Sequence, residues 1–350
     1  MEPITQFPFT DLPVELALII LRYSAIPSFD QDNLYDARNP YSFALALCCV
    51  SRVVRRAVLP ELLHTILLQD ARNVRLFVHA LRMQKTYAET KNHLHFDYAP
   101  HVHKMWIVSQ GGNHAPARFL TTPRAYATKP SESGLDVSLL APILLAAPSL
   151  ALSWTSMDLL AECLEHAWTS RAATHVNDEN SPPPWNTQTL TLSCTPPTTG
   201  PWWERLTNTP QGSAFLASIS HLSTNTSASD YKSYTSSDDH RLPLWMEITP
   251  WASFKSLKTV LLPYPRHINP PADQWALIFA GIDSHVELLT LSAALLRDRR
   301  DSIPKEIEAL AEIGPGEECI RSSDIRLKVS RSCIRWYNRD GWEKVWACML

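Results

Sequence analysis

The segment Asp11-Leu-Pro-Val-Glu-Leu-Ala-Leu-Ile-Ile-Leu21 predicts a helix that is apolar on almost every side. Asp11 stands at the expected N-cap, and the helix should run to about Tyr23 and stop before Pro27. A short helix cannot easily bury two apolar faces in its own fold, so we expect one face to contact a partner. One apolar stripe contains Leu12, Leu16, Ile19, Ile20 and Tyr23, and Val14, Leu18 and Leu21 cover much of the remaining surface.

Two more helices are predicted before residue 68. Residues 27–40 are polar and contain two prolines, so we expect a loop there. A second helix is predicted to begin near Ser42. Ser51 can cap a third helix, which we expect to end before Pro60 because proline breaks the backbone hydrogen bonding of a helix.

The composition restricts the classes of function. The formal net charge is −3, so the chain has no overall positive charge for nucleic acid or for an anionic membrane surface. Only 9 of the 350 residues are glycine, which disfavours phosphate-binding loops built from several glycines. The longest apolar run, Leu139 to Trp154, contains two prolines and is shorter than the roughly 20 residues that span a bilayer. We therefore predict neither a nucleic-acid partner nor a membrane partner.

The cysteines and the first residues indicate a reducing compartment. The chain has seven cysteines, and the adjacent Cys48 and Cys49 would point to different sides of a helix. The opening residues, Met1-Glu-Pro-Ile, lack the basic region of a secretory signal peptide. We therefore expect free thiols and a cytoplasmic or nuclear protein.

Beyond about residue 100, short apolar strands alternate with helical patterns. This alternation is typical of parallel strands covered by helices, so we predict an α/β domain over residues 69–350, after a helical module over residues 10–68. The spacing is uneven and mostly longer than the about 20–29 residues of leucine-rich repeats, so any repeat is irregular. The predicted strands are His64–Leu68, His101–Val108, Ser149–Trp154, Thr189–Leu192, Leu257–Leu262, Val286–Leu291 and Ile325–Val329. The predicted helices are Ala71–Met83, Ala141–Ala147, Met157–Trp168, Ala214–Ile219, Asp273–Ile282 and Lys305–Ile313.

Four segments between these elements are predicted to be loops: residues 111–134, 172–185, 195–212 and 223–241. The last is rich in Ser, Thr and Asp and has few apolar side chains to bury. We favour a tolerated surface loop there, and a phosphorylated or partner-recognising insert is the alternative.

Three short motifs occur in order within the first 68 residues. They are Leu12-Pro-Val-Glu-Leu16 followed by Ile19-Ile20, then Leu47-Cys-Cys-Val-Ser-Arg52, then a basic stretch that closes with Leu59-Pro-Glu-Leu62. This set resembles the F-box and covers about a fifth of the chain. The connection over residues 24–40 is longer than in a typical F-box. The whole layout is similar to fungal F-box-like proteins whose C-terminal part carries irregular leucine-rich repeats.

The resemblance implies a substrate-receptor role. An F-box binds the small adaptor subunit of a cullin–RING (SCF-type) ubiquitin ligase, and the remaining chain holds a protein substrate. Alternatively, the apolar residues of the module would pack a three-helix cap onto the second domain, or the chain would be a non-ligase scaffold that retains the F-box outline. By position, the resemblance assigns adaptor contact in a helix-in-groove mode to Leu12, Pro13, Leu16, Ile19, Ile20, Val50, Ser51 and Val54.

Two incomplete patterns could carry chemistry. A His-x-His pair on a strand places both rings on one face and suits zinc, but no Cys-x-x-Cys or His-Glu-x-x-His motif supports a tetrahedral site. Cys163 and His166 lie three residues apart, but Cys163 belongs to an apolar run and a third, orienting group is missing. We predict no metal, no cofactor and no enzymatic activity, and a metal-dependent or thiol enzyme is a third hypothesis. The histidine group comprises His93, His95, His101 and His103, with Asp97 among them.

The chain contains 12 tryptophans, and several flank proline-rich loops. We favour a packing role for them, because indole rings fill irregular cores well. Tryptophan is also enriched at binding hot spots, so the loop tryptophans are a hypothesis for a substrate-facing surface. They are Trp185, Trp202, Trp203, Trp245 and Trp251, and a further group is Trp336, Trp342 and Trp346.

Overall fold

Three short helices form a small N-terminal unit with its own core. α1 (Val14–Ala25), α2 (Ser42–Cys48) and α3 (Arg52–His64) pack on one another. The small core consists of Ala25, Ala44, Leu47 and Val58, with Leu21, Cys48, Val54 and Leu62 packed against it. The computed structural model describes residues 12–27, 40–68, 70–107, 135–174, 182–193, 203–225, 248–265, 285–292, 319–320 and 326–333.

The third helix is longer than predicted. Ser51 is its N-cap, as expected, and the Ser51 hydroxyl accepts a hydrogen bond from the Val54 N–H at 3.2 Å. The helix continues through Pro60 to His64, so the predicted end before Pro60 is wrong. An interior proline costs about 3 kcal/mol. Leu59 and Leu63, on either side of it, are buried, and each buried leucine contributes about 1.5–3 kcal/mol, which offsets that cost.

A mixed sheet follows, and its first six strands are parallel. They lie side by side in chain order, so each strand pairs with the one before it and the one after it. The predicted alternation of helices with parallel strands is therefore confirmed for this part. The six strands are β1 (Thr65–Leu68), β2 (Lys104–Ile107), β3 (Ser149–Ser153), β4 (Thr189–Ser193), β5 (His221–Asn225) and β6 (Thr259–Pro265).

The sheet continues beyond β6 with a change of direction. β7 (His285–Ser292) is antiparallel to β6, and β9 (Arg326–Cys333) is antiparallel to β7. β8 (Cys319–Ile320) pairs with β9 at the far edge. The sequence predicted the positions of β7 and β9 but not their antiparallel pairing.

The helices between the parallel strands form a layer on the sheet. α5 contacts α4 on one side and α6 on the other, and α6 contacts both α7 and α8. The order of the helices therefore follows the order of the strands that they connect. The helices are α4 (Ala71–Glu89), α5 (Val137–Ala146), α6 (Met157–Thr174), α7 (Glu204–Thr207) and α8 (Pro210–Ser218).

The strand register separates two faces of the sheet. One row across the parallel strands is apolar and belongs to the core shared with the helices: Ile66, Met105, Leu150, Leu190, Leu222 and Val260. Side chains alternate along a strand, so the next row faces the opposite side. That row is Leu67, Trp106, Ala151, Thr191 and Ser223, and none of these residues belongs to the helix-side core.

Several predicted loop boundaries need correction. β5 occupies residues 223–225 of the segment predicted as a loop at 223–241, because pairing with β4 and β6 forms a strand where the sequence has few apolar residues. The predicted loop at 195–212 contains α7 and the start of α8, and the one at 172–185 begins inside α6. The predicted loop 111–134 and the predicted helices Asp273–Ile282 and Lys305–Ile313 lie outside the described residues.

Candidate protein-interaction surface

The outer face of α1 carries an exposed row of apolar side chains. Leu16, Ile19, Ile20 and Tyr23 are between 41% and 73% exposed. Their spacing of three, four and seven residues places them on one face of the helix. We call these four residues the α1 row.

The inner side of α1 is already in use. Leu21 packs against the small core, and Ala25 is one of its buried members. Arg22 also ties α1 to α3, because its Nε and Nη2 both donate to Oε1 of Glu61, at 3.0 and 2.7 Å. The helix is therefore held in place without burying the α1 row.

The other residues assigned to adaptor contact divide into two groups. Leu12 is half-buried, whereas Pro13 at the N-cap position and Val50 between α2 and α3 are exposed. The Ser51 side chain caps α3, and Val54 is half-buried against the small core. Leu12, Pro13 and Val50 can touch a partner directly, whereas Ser51 and Val54 chiefly hold α3.

Three further exposed apolar residues of this unit, Phe43, Leu45 and Val53, were not among those expected from the sequence. The pattern within α2 contained the signal, since Ala44 and Leu47 are three residues apart and form its buried side. Phe43 and Leu45 lie off that side and are left in solvent. The three helices together thus expose more apolar surface than the F-box pattern alone assigns.

A tyrosine hydroxyl joins the helical unit to the edge of the sheet. Tyr41, the N-cap residue of α2, accepts a hydrogen bond from the Leu67 N–H at 2.8 Å and donates one to the Thr65 carbonyl at 2.9 Å. The His64 carbonyl points toward β2, where it accepts from the His103 N–H, so the backbone groups of Thr65 and Leu67 point to the outer edge. Tyr41 thus occupies the place of a neighbouring strand and covers that edge.

We expect the substitution Tyr41→Phe to lower the free energy of unfolding by about 1–2 kcal/mol, because two backbone groups lose a partner while the ring remains. Denaturant unfolding measures this change. The amide hydrogen of Leu67 should also exchange with solvent faster than in the wild type. Tyr87→Phe is the matched control, since the Tyr87 hydroxyl makes no hydrogen bond to the described residues. A Leu67 amide that exchanges at the wild-type rate in Tyr41→Phe would contradict the assignment.

The histidine group is not assembled into a metal centre. His93 and His95 are exposed, and the His101 ring stacks on Phe96 with centroids 4.9 Å apart. The His103 ring lies 4.7 Å from His64, and burial together with this neighbour lowers the pKa of His64. No group of three or more His, Cys, Asp or Glu residues within the described part of the chain is placed to bind a metal ion.

Cys163 is fully buried in α6. Burial raises the pKa of its thiol to about 12. A thiol with this pKa is protonated at neutral pH, whereas the nucleophile is the thiolate. The side chain behaves as a small apolar group of the main core.

The tryptophans that the structure describes at the loops pack in the interior. Trp185, Trp203 and Trp251 are buried, so the hypothesis that they form a substrate-facing surface is wrong. Trp203 makes edge-to-face contacts with Trp154 at 5.5 Å and with Phe254 at 5.6 Å. The remaining tryptophans of that hypothesis, Trp202, Trp245, Trp336, Trp342 and Trp346, lie outside the described residues.

Within the described ranges, no helix has the length and apolar character needed to cross a membrane. Comparisons with family models, with curated proteins and with solved structures give no match to this chain. The exposed apolar surface of the three N-terminal helices is therefore the feature on which a functional proposal rests.

Proposed function

We propose that the chain is a substrate receptor of an SCF-type cullin–RING ubiquitin ligase, acting in the cytoplasm or nucleus. The observation that carries this proposal is the α1 row: Leu16, Ile19, Ile20 and Tyr23 are exposed on a helix whose other side is already packed. Anchors at this spacing are typical of a helix that lies in an apolar groove. The adaptor subunit would supply that groove.

The supporting residues fit this arrangement. Leu12 and Pro13 precede α1, and the exposed Val50 precedes α3, so these three would extend the contact from the α1 row. Ser51 and Val54 would contribute indirectly, because the cap and the small core fix where α3 begins.

The α/β part would hold the target protein. Its strands β2–β6 lie side by side in chain order, and α4–α8 form a layer on them, which supports an irregular leucine-rich-repeat-like arrangement over residues 69–350. The mechanism would be positional: the receptor would bring a lysine of the target close to the loaded conjugating enzyme. No reacting group of this chain would be needed.

Co-expression of the full chain with the adaptor subunit tests the proposal. We expect both proteins to elute together from size-exclusion chromatography after purification through a tag on this chain. If the chain is folded by circular dichroism and elutes without the adaptor, the ligase role is contradicted. A non-ligase scaffold, motivated by the long connection between α1 and α2, would then be the better interpretation.

A further inference from the structure

The outer face of α4 combines positive charge with exposed apolar side chains. Leu76 is 55% exposed and Met83 is 41% exposed, and their separation of seven positions corresponds to two helical turns, about 10 Å. We call this surface the basic face of α4. Its exposed cationic and imidazole side chains are Arg72, Arg75, His79 and Arg82.

The helix holds this face rigidly. Val74, Val78 and Leu81 pack into the main core on the opposite side. The Asp70 carboxylate caps the helix by accepting from the Asn73 N–H at 2.7 Å, and the buried Gln84 accepts from the Phe96 N–H at 2.8 Å. A surface on a fixed helix binds without a large ordering cost.

The acidic residues that the structure describes leave the charge of this face largely uncompensated. The Asp136 carboxylate lies 3.5 Å from Arg82, and both side chains are substantially exposed, so this pair is weak. Arg72 and Arg75 form no ion pair with a described acidic residue. α4 itself has no acidic residue before Glu89. In a chain of net charge −3, this is a local concentration of positive charge.

The two apolar residues are unusual for the α/β part. Most of the exposed large hydrophobic side chains that the structure describes lie in α1–α3 and their caps; outside that unit they are Leu76, Met83 and Ile248. Single exposed apolar residues need no explanation. Two on one helix face, two turns apart and surrounded by cations, form a pattern that a partner can recognise.

We propose that the basic face of α4 binds an acidic protein segment that carries aliphatic side chains. Carboxylates would pair with Arg72 and Arg75, since the arginine fork matches carboxylate geometry. Leucine-like side chains would cover Leu76 and Met83. In a ligase receptor this segment would belong to the target protein. That assignment rests on the proposed function, whereas the binding itself does not.

The same face is less suited to a nucleic acid or a membrane. Its exposed non-polar residues are aliphatic, whereas bases stack on aromatic rings, and the net negative charge of the chain opposes a long polyanion. Two aliphatic side chains also give little area to insert among lipids. A protein segment satisfies both the charges and the apolar pair.

Fluorescence anisotropy with the purified full chain tests this proposal. The probes are glutamate-rich peptides that differ in the spacing of two leucines, with glutamine-for-glutamate versions as neutral partners. We expect saturable binding of an acidic peptide with leucines at the Leu76–Met83 spacing, weakened at least tenfold by Arg72→Glu with Arg75→Glu. The pair Leu76→Ser with Met83→Ser should also weaken it at least tenfold. The matched control, Lys255→Glu with Lys258→Glu, reverses two exposed charges elsewhere and should leave binding unchanged.

Three results would overturn the proposal. One is the absence of saturable binding by any acidic peptide, and another is equal binding of the neutral peptides. The third is equal binding of single-stranded DNA or phosphatidylserine vesicles that the Leu76 and Met83 substitutions do not affect. Adaptor capture is measured on the same variants. It shows whether the proposed function fails independently of acidic-peptide binding by the basic face of α4.

Discussion

The substitution Leu16→Asp should abolish adaptor capture and leave the chain folded. In the proposed complex Leu16 leaves water, which contributes about 1.5–3 kcal/mol for a leucine, and an aspartate there would be desolvated without a partner. We expect affinity to fall by at least about a hundredfold, or about 2.7 kcal/mol. In the free chain Leu16 is 48% exposed. Its replacement should therefore change the free energy of unfolding by no more than about 0.5 kcal/mol. Calorimetric titration and urea unfolding measure the two quantities.

Ile248→Asp is the matched control for this experiment. It introduces the same charge at another exposed aliphatic residue, in the α/β part rather than on α1. The control should bind the adaptor with wild-type affinity. Equal loss in both variants would show that a new negative charge, and not the α1 row, is responsible. Wild-type affinity in Leu16→Asp would contradict the placement of the adaptor on α1.

Local patterns predicted α1 well because its information is contained within one helix. The stripe of Leu16, Ile19, Ile20 and Tyr23 follows from helical spacing alone. The sequence also indicates that the other side of the helix packs, because the apolar Leu21 lies on that side. The partner that covers the stripe could not be predicted in this way. Apolar spacing predicts that a surface exists but does not identify the molecule that binds it.

Features that depend on distant residues were not predictable in the same way. The Tyr41 hydroxyl meets Thr65 and Leu67 across more than twenty residues, and nothing in the local sequence distinguishes it from an ordinary helix-flanking tyrosine. β5 is a strand because β4 and β6 pair with it. α3 passes through Pro60 because its leucines are buried in the completed fold.

The burial of the tryptophans also depends on residues that are distant in the sequence. Their positions beside prolines predicted either a filled irregular core or an exposed binding surface. The structure buries Trp203 between Trp154 and Phe254 in edge-to-face geometry, an arrangement that brings together three separate segments. Composition favoured packing but could not decide between the two outcomes, because the deciding neighbours of Trp203 are about fifty residues away on each side.

The substitution Gly212→Ala should destabilise the chain strongly, although it replaces glycine with the best helix former. An added Cβ would lie 2.6 Å from the Leu206 Cα and closer still to the Leu206 carbonyl oxygen. These are backbone atoms, so α7 would have to move away from α8. That movement would draw Leu206 and Trp203 out of the main core, to which both belong. We expect a loss of about 3 kcal/mol or more in the free energy of unfolding.

Helix propensity alone predicts the opposite sign, a gain of about 1 kcal/mol for alanine over glycine inside a helix. Urea unfolding of Gly212→Ala therefore decides between a close α7–α8 approach and an ordinary helical position. Gln211→Ala, at the neighbouring position of α8, is the control and should change stability by no more than about 1 kcal/mol. A stabilised Gly212→Ala variant would show that α7 does not lie against Gly212. A strong loss of stability would support the close approach of α7 to α8 at Gly212.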